Sequence, residues 1–137
     1  MERFTDSQTW LVVFDRAHGG MKWWHFLLHP SFRHIALWRD INGTAVCVNS
    51  LSHVMAIKEY PNSICDIVQQ ELKQNPTAIL QYTVHYGSHY LAMPLEPLTC
   101  VSVAKRILGI RGPVTPKGLY HELIKAGAIA LKPYCIY

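Results

Sequence analysis

The chain has 137 residues, of which 50% are hydrophobic and 16% are charged, and its formal net charge is +4. This length is typical of one domain, and the composition argues against a disordered chain, because disordered chains contain too little apolar surface to bury. The basic residues are scattered along the sequence, which predicts no nucleic-acid partner. We therefore expect one globular domain over residues 1–137.

The first twenty residues do not have the pattern of an export signal. Their apolar run is short and is interrupted by acidic residues, and no segment of the chain approaches the length of a membrane span. The four cysteines are widely and irregularly spaced, without the close pairs of a zinc site. We expect no membrane span, and free thiols in a reducing compartment such as the cytoplasm.

Five segments are predicted as strands because they are short, rich in β-branched and aromatic residues, and bounded by turn residues. Glycine pairs, Asn-Gly and proline mark these boundaries. The predicted strands are residues 9–15, 33–39, 44–51, 54–60 and 77–86.

The dipeptide Asn42-Gly43 between two such segments is the strongest short-range signal for a β-hairpin. A two-residue turn at this point pairs Ala36 with Asn49 and His34 with Leu51. His34 and Asn49 then lie diagonally on one face of the hairpin. A turn longer or shorter by one residue would move one strand's side chains to the other face.

Three segments have apolar residues at helical spacing, with a capping side chain before them and a stop signal after them. The first ends at Asn75-Pro76, the second at Gly109 and the third at Gly127. The predicted helices follow Ser63, Thr99 and Thr115.

Cys100 is predicted to lie in the first turn of the second helix, on its apolar face. Free amides and the helix dipole at that position stabilise a thiolate and can donate to an oxyanion. A buried cysteine that acts only as a small hydrophobic residue fits the same spacing. The predicted apolar face comprises Cys100, Val103, Ala104, Ile107 and Leu108, whereas Ser102, Lys105 and Arg106 point elsewhere.

A thiolate nucleophile needs a base, and His34 is the strongest candidate among the eight histidines. Asn49, diagonal to it, can accept from the imidazole N–H and hold one tautomer, which would complete a Cys-His-polar triad. A strand histidine with a purely structural hydrogen bond is the alternative. His85 and His89 have metal-ligand spacing, but the turn at Gly87-Ser88 argues against a helix there. We therefore expect neither a metal nor a cofactor.

The chain resembles the circularly permuted branch of the papain-like NlpC-type superfamily, which includes relatives of the lecithin:retinol acyltransferases. The resemblance rests on FRHIALW, the Asn-Gly turn, AVCVNSL and PLTCVSVAKRILGI, and it spans roughly residues 32–110. It implies an α+β fold in which a small antiparallel sheet packs against a cysteine-bearing helix and further helices. It also implies that Cys100 is the nucleophile, His34 the base and Asn49 the third residue, where the family more usually has His or an acidic residue.

The resemblance further implies a thiol hydrolase that cleaves peptide amide bonds through an acyl-enzyme, with cell-wall muropeptides as the suggested substrate class. The backbone N–H of Cys100 would be the oxyanion donor, because no polar side chain suited to that role precedes it. The alternative is a catalytically silent protein that binds partners in a larger assembly, for example in a bacteriophage virion or tail. The aromatic segment around Trp23-Trp24 would then be a candidate interface.

Overall fold

The computed structural model describes residues 7–16, 32–50, 55–85, 100–110, 112 and 115–132. Within these residues the protein has six strands and three helices. They are, in chain order, β1 (Ser7–Asp15), β2 (His34–Ile41), β3 (Thr44–Ser50), β4 (Met55–Tyr60), α1 (Ile64–Lys73), β5 (Ala78–His85), α2 (Cys100–Leu108), α3 (Pro116–Lys125) and β6 (Ile129–Lys132).

All six strands form one antiparallel sheet in the order β4-β3-β2-β1-β5-β6. The long strand β1 lies in the interior of the sheet and pairs with β2 on one side and with β5 on the other. The prediction of an α+β protein with an antiparallel sheet is therefore confirmed.

The hairpin between β2 and β3 has the predicted register. Ala36 lies opposite Asn49, as the two-residue turn required. Asn42 and Gly43 have φ angles of 52° and 83°, and two consecutive positive φ angles are the mark of a type I′ turn. The N–H of Gly43 donates to Oδ1 of Asp40 at 3.0 Å, which fastens the turn to β2.

The helices begin where their capping residues predicted. Ser63 Oγ accepts from the N–H of Asp66 at 3.2 Å, and Thr115 Oγ1 accepts from the N–H of Gly118 at 3.1 Å. The second helix begins at Cys100, and Gly109 follows its end with a φ of 70°. None of the described helices is long and apolar enough to cross a membrane.

Helices cover both faces of the sheet. Helix α1 covers one face, called the α1 face, and helices α2 and α3 cover the opposite face, called the α2/α3 face. Buried strand residues alternate between the two faces. The strand residues buried on the α1 face are Leu11, Val13, Trp38, Ala45, Cys47 and Ile79. Those buried on the α2/α3 face are Trp10, Val12, Phe14, Ile35, Leu37, Val48, Ala78, Leu80 and Val84.

Two features differ from the sequence prediction. Strand β6 was not predicted, because its four residues are short of a full alternating pattern and all but the last are exposed at the sheet edge. Lys105 and Ser102 were expected to point away from the core, yet they are only 4% and 2% exposed. Helix α2 is therefore covered on more sides than its one apolar stripe indicated.

Candidate functional site

Cys100 is the first residue of α2, as the sequence predicted. This helix packs against β2 and β3, and Val101, Val103 and Ala104 anchor it to the α2/α3 face. The first amides of a helix have no partner within the helix, so the position is one that stabilises negative charge. The side chain of Cys100 lies outside the described residues.

His34 is the first residue of β2 and lies at the end of the sheet. Its side chain is half-buried, and its direct cross-strand partner is Asp15, the last residue of β1. The N–H of Arg33 donates to the carbonyl oxygen of Asp15 at 3.0 Å, so the contact between the two chain segments continues one residue beyond this pair.

Asn49 lies within β3, opposite Ala36 on one side and Ala56 on the other. It lines a cavity of about 170 Å³ together with Cys47, Ala56, Lys58 and Tyr60. Its Oδ1 is buried and accepts no hydrogen bond from any described residue. The contact predicted from the sequence, in which this oxygen accepts from the imidazole of His34, is therefore not formed.

The structure brings His34 and Asn49 onto one face but places α2 on the other. Asn49 shares its face with Cys47, and His34 has the same alternation as Ala36 and Trp38, which pack on the α1 face. The register that brings His34 close to Asn49 thus also turns both side chains away from the helix that Cys100 begins. The complete triad stays a prediction.

Asp15 is a polar neighbour of His34 that the sequence reasoning missed. Its carboxylate belongs to a half-buried side chain, and Oδ1 accepts from the N–H of Arg16 at 2.7 Å. The sequence shows Asp15 only as the end of an apolar run. Because no short turn joins β1 to β2, no local signal fixed their register, whereas Asn42-Gly43 fixed that of β2 and β3.

Two other cysteines provide a contrast with Cys100. Cys47 is buried, and its burial, reinforced by the nearby Glu71 carboxylate and opposed by Lys58, raises the pKa of its thiol from 9.0 to about 11. Cys65 is a free, exposed thiol in the first turn of α1. Cys47 is therefore held protonated at neutral pH, whereas Cys65 is open to solvent.

Within the described residues, no group of three or more His, Cys, Asp or Glu side chains is arranged to hold a metal ion. His85 ends β5, whereas His89, the turn at Gly87-Ser88 and the segment with Trp23-Trp24 lie outside the described residues. Comparison of the chain with protein-family models, with curated proteins and with solved structures finds no match.

Proposed function

We propose that the protein is a thiol hydrolase of the permuted papain-like type, with Cys100 as its nucleophile. The observation that carries the proposal is the start of α2 at Cys100, on a helix that packs against the strand beginning with His34. A cysteine in the first helical turn has free amides beside it, and these lower the free energy of a thiolate. The histidine strand precedes the cysteine helix in the chain, which is the order that the resemblance to the permuted branch implies.

The proposed reaction is acyl transfer. His34 accepts the proton of the Cys100 thiol, and Sγ attacks the carbonyl carbon of an amide while the backbone N–H of Cys100 donates to the oxyanion. The C–N bond then breaks, and the leaving amine takes the proton from the imidazolium. Water attacks the thioester, which releases the acid and the free thiol. Peptide amide bonds of muropeptides are the substrate class that the resemblance suggests.

This mechanism sets one geometric requirement. His34 must meet Cys100 at the end of the sheet, where β2 begins, because the middle of the sheet separates the α1 face from α2. An imidazole at the end of a strand can be approached from beyond the end of the sheet, whereas a side chain in the middle of the sheet cannot. Asn49 lies within β3 and cannot share that contact, so the proposal requires only Cys100 and His34.

The thiols of the chain provide their own controls for a test. Alkylation by iodoacetamide, followed across pH by peptide mass spectrometry, gives a separate rate profile for each cysteine. We expect Cys100 in the folded protein to react with a midpoint at least one pH unit below that of Cys100 in the urea-unfolded chain, because only a thiolate stabilised by the fold reacts at lower pH. Buried Cys47 should stay unmodified. An unshifted midpoint or full protection of Cys100 contradicts the proposal.

Turnover is tested with purified muropeptides, by mass spectrometric detection of the two cleavage products. Cys100→Ala should abolish cleavage and leave the melting temperature nearly unchanged, whereas Cys65→Ala should retain full activity. Cleavage by Cys100→Ala at the rate of the original chain would exclude Cys100 as the nucleophile.

The second candidate function is binding without catalysis, in a larger protein assembly such as a phage particle. It is favoured by the separation of α2 from the face that carries His34 and Asn49. Under this alternative Cys100 packs as a small apolar residue and its alkylation midpoint is that of an ordinary thiol. The alkylation profile therefore discriminates between the two functions without knowledge of the substrate.

A further inference from the structure

We infer that Asp15 is the residue that positions the imidazole of His34, in place of Asn49. The inference deepens the proposed function, because it names the group that would hold the base of that reaction. It rests on the register of β1 and β2 and on the hydrogen bonding of Asn49 Oδ1. Neither the register nor the hydrogen bonding of this side chain can be predicted from the local sequence pattern.

The register makes Asp15 the nearest polar neighbour of His34 in the sheet. The two residues are direct antiparallel partners of β1 and β2, and side chains at such positions have Cβ atoms about 4.5–5.5 Å apart. Asn49 is opposite Ala36 and is therefore diagonal to His34, with a typical separation of about 7–8 Å. The direct position therefore brings a polar side chain closer to the imidazole than the diagonal one does.

The hydrogen bonds point in the same direction. Asn49 Oδ1, the atom that would hold the imidazole, is buried and accepts nothing from the described residues. In Asp15, Oδ1 accepts from the N–H of Arg16 at 2.7 Å, which orients the carboxylate at the end of β1. An oriented carboxylate beside an imidazole selects the tautomer with its N–H toward the acid and leaves the other nitrogen as the base.

The charged surroundings of His34 make the effect of Asp15 measurable. The described charged groups nearest to it along the chain and across the strands are Asp15, Arg16 and Arg33, while β3 contributes the neutral Asn49. Lys58 and Glu71 act on Cys47, farther along the α1 face. Because both arginines disfavour an imidazolium, a carboxylate is the group that can stabilise it.

The test is the NMR titration of the His34 ring in the full chain, with its signal assigned by its loss in His34→Gln. Asp15→Asn keeps the shape of the side chain and removes its charge, and we expect it to lower the pKa of His34 by about one unit, a tenfold change in proton affinity. Asn49→Ala is the matched control and should leave that pKa unchanged. Equal values in Asp15→Asn and the unmodified chain overturn the inference.

A second measurement needs no variant that must fold. Ring ¹⁵N shifts of His34 in the unmodified protein at high pH should show one dominant tautomer, and a mixture of two overturns the inference. Neither measurement depends on turnover, so a positive titration with unreactive Cys100 would keep the Asp15–His34 pair and reject the hydrolase. If muropeptides are cleaved, the acid limb of the kcat/KM profile should move with the His34 pKa in Asp15→Asn.

Discussion

The two faces of the sheet differ in what they bury. On the α2/α3 face, Phe14, Phe32 and Tyr120 pack with ring centroids 5.4–5.7 Å apart, among aliphatic side chains. On the α1 face, a similar apolar cluster gives way to His34, Asp15 and Asn49 as the strands approach one end of the sheet. Apolar packing explains the burial of both clusters, whereas it does not explain the polar residues at this end of the α1 face.

The contrast is sharpest at neighbouring residues of one strand. Phe14 and Asp15 are adjacent in β1 and point to opposite faces, one into the aromatic cluster and the other toward His34. The same end of the sheet is thus a packed core on one side and a polar row on the other. Substitutions on the two sides should therefore have effects of different size and kind.

The largest effect is expected from Phe14→Ala. Phe14 is fully buried between Phe32 and Tyr120, so its truncation removes two ring contacts and leaves a cavity under α3. We expect a loss of about 3–5 kcal/mol in the free energy of unfolding, measured by urea denaturation. Leu72→Ala, at a position 39% exposed on α1, is the matched control and should cost far less. Equal losses would mean that the aromatic cluster is not a core.

Cys47 should make the α1 face sensitive to alkaline pH. The thiol in the unfolded chain ionises near pH 9, whereas the folded protein holds its proton until a pKa of about 11. The unfolded state is therefore increasingly favoured above pH 9, and the thiol's contribution to stability is lost as pH rises toward 11. Two pKa units correspond to about 3 kcal/mol.

The measurement compares urea unfolding of the original chain and Cys47→Ala at pH 7.5 and pH 10.5, under reducing conditions. Other thiols, tyrosines and lysines titrate in both chains, so the difference between the two pH dependences isolates Cys47. We expect the original chain to lose more stability between the two pH values than Cys47→Ala does. Parallel losses would show that the Cys47 thiol is not held protonated by its burial.

The parts of this architecture that were predictable are those fixed by local signals. Asn42-Gly43 determined the hairpin register because a type I′ turn allows only one pairing, and Ser63 and Thr115 determined helix starts because their side chains satisfy free amides. The start of α2 at Cys100 followed from the same kind of signal.

The parts that were not predictable depend on contacts between distant segments. The pairing of β1 with β2, which places Asp15 opposite His34, joins strands that are far apart in the sequence, so no short turn motif predicts its register. The face on which α2 packs was also not predictable, because an apolar stripe on a helix does not specify which face of a sheet it packs against. The candidate triad required the register of β2 and β3, which has a local signal in the sequence. It also required α2 to pack on the face that carries His34 and Asn49, which has no such signal.

The smallest effect, and the one that tests the polar row most directly, is expected from Asn49→Leu. Leu has the branching of Asn and no polar atoms but is larger, and the Oδ1 that it removes is buried without a partner in the described part of the chain. A buried acceptor without a donor costs about 1–3 kcal/mol, so its removal should leave the protein equally stable or more stable by about 1 kcal/mol. Urea denaturation measures the difference, and Ala56→Val, beside the same cavity, controls for added volume.

A loss of stability in Asn49→Leu would show that the amide makes a contact that stabilises the fold. The view that the polar residues on the α1 face serve a purpose other than stability would then be wrong. Retained stability would leave Asn49 as a residue that folding does not require. The free-energy cost of burying its Oδ1 without a donor would then point to a role other than folding, such as binding in the cavity or beside His34. The same variant, titrated at His34, should keep the imidazole pKa unchanged, because Asp15 and not Asn49 is the direct cross-strand partner of His34.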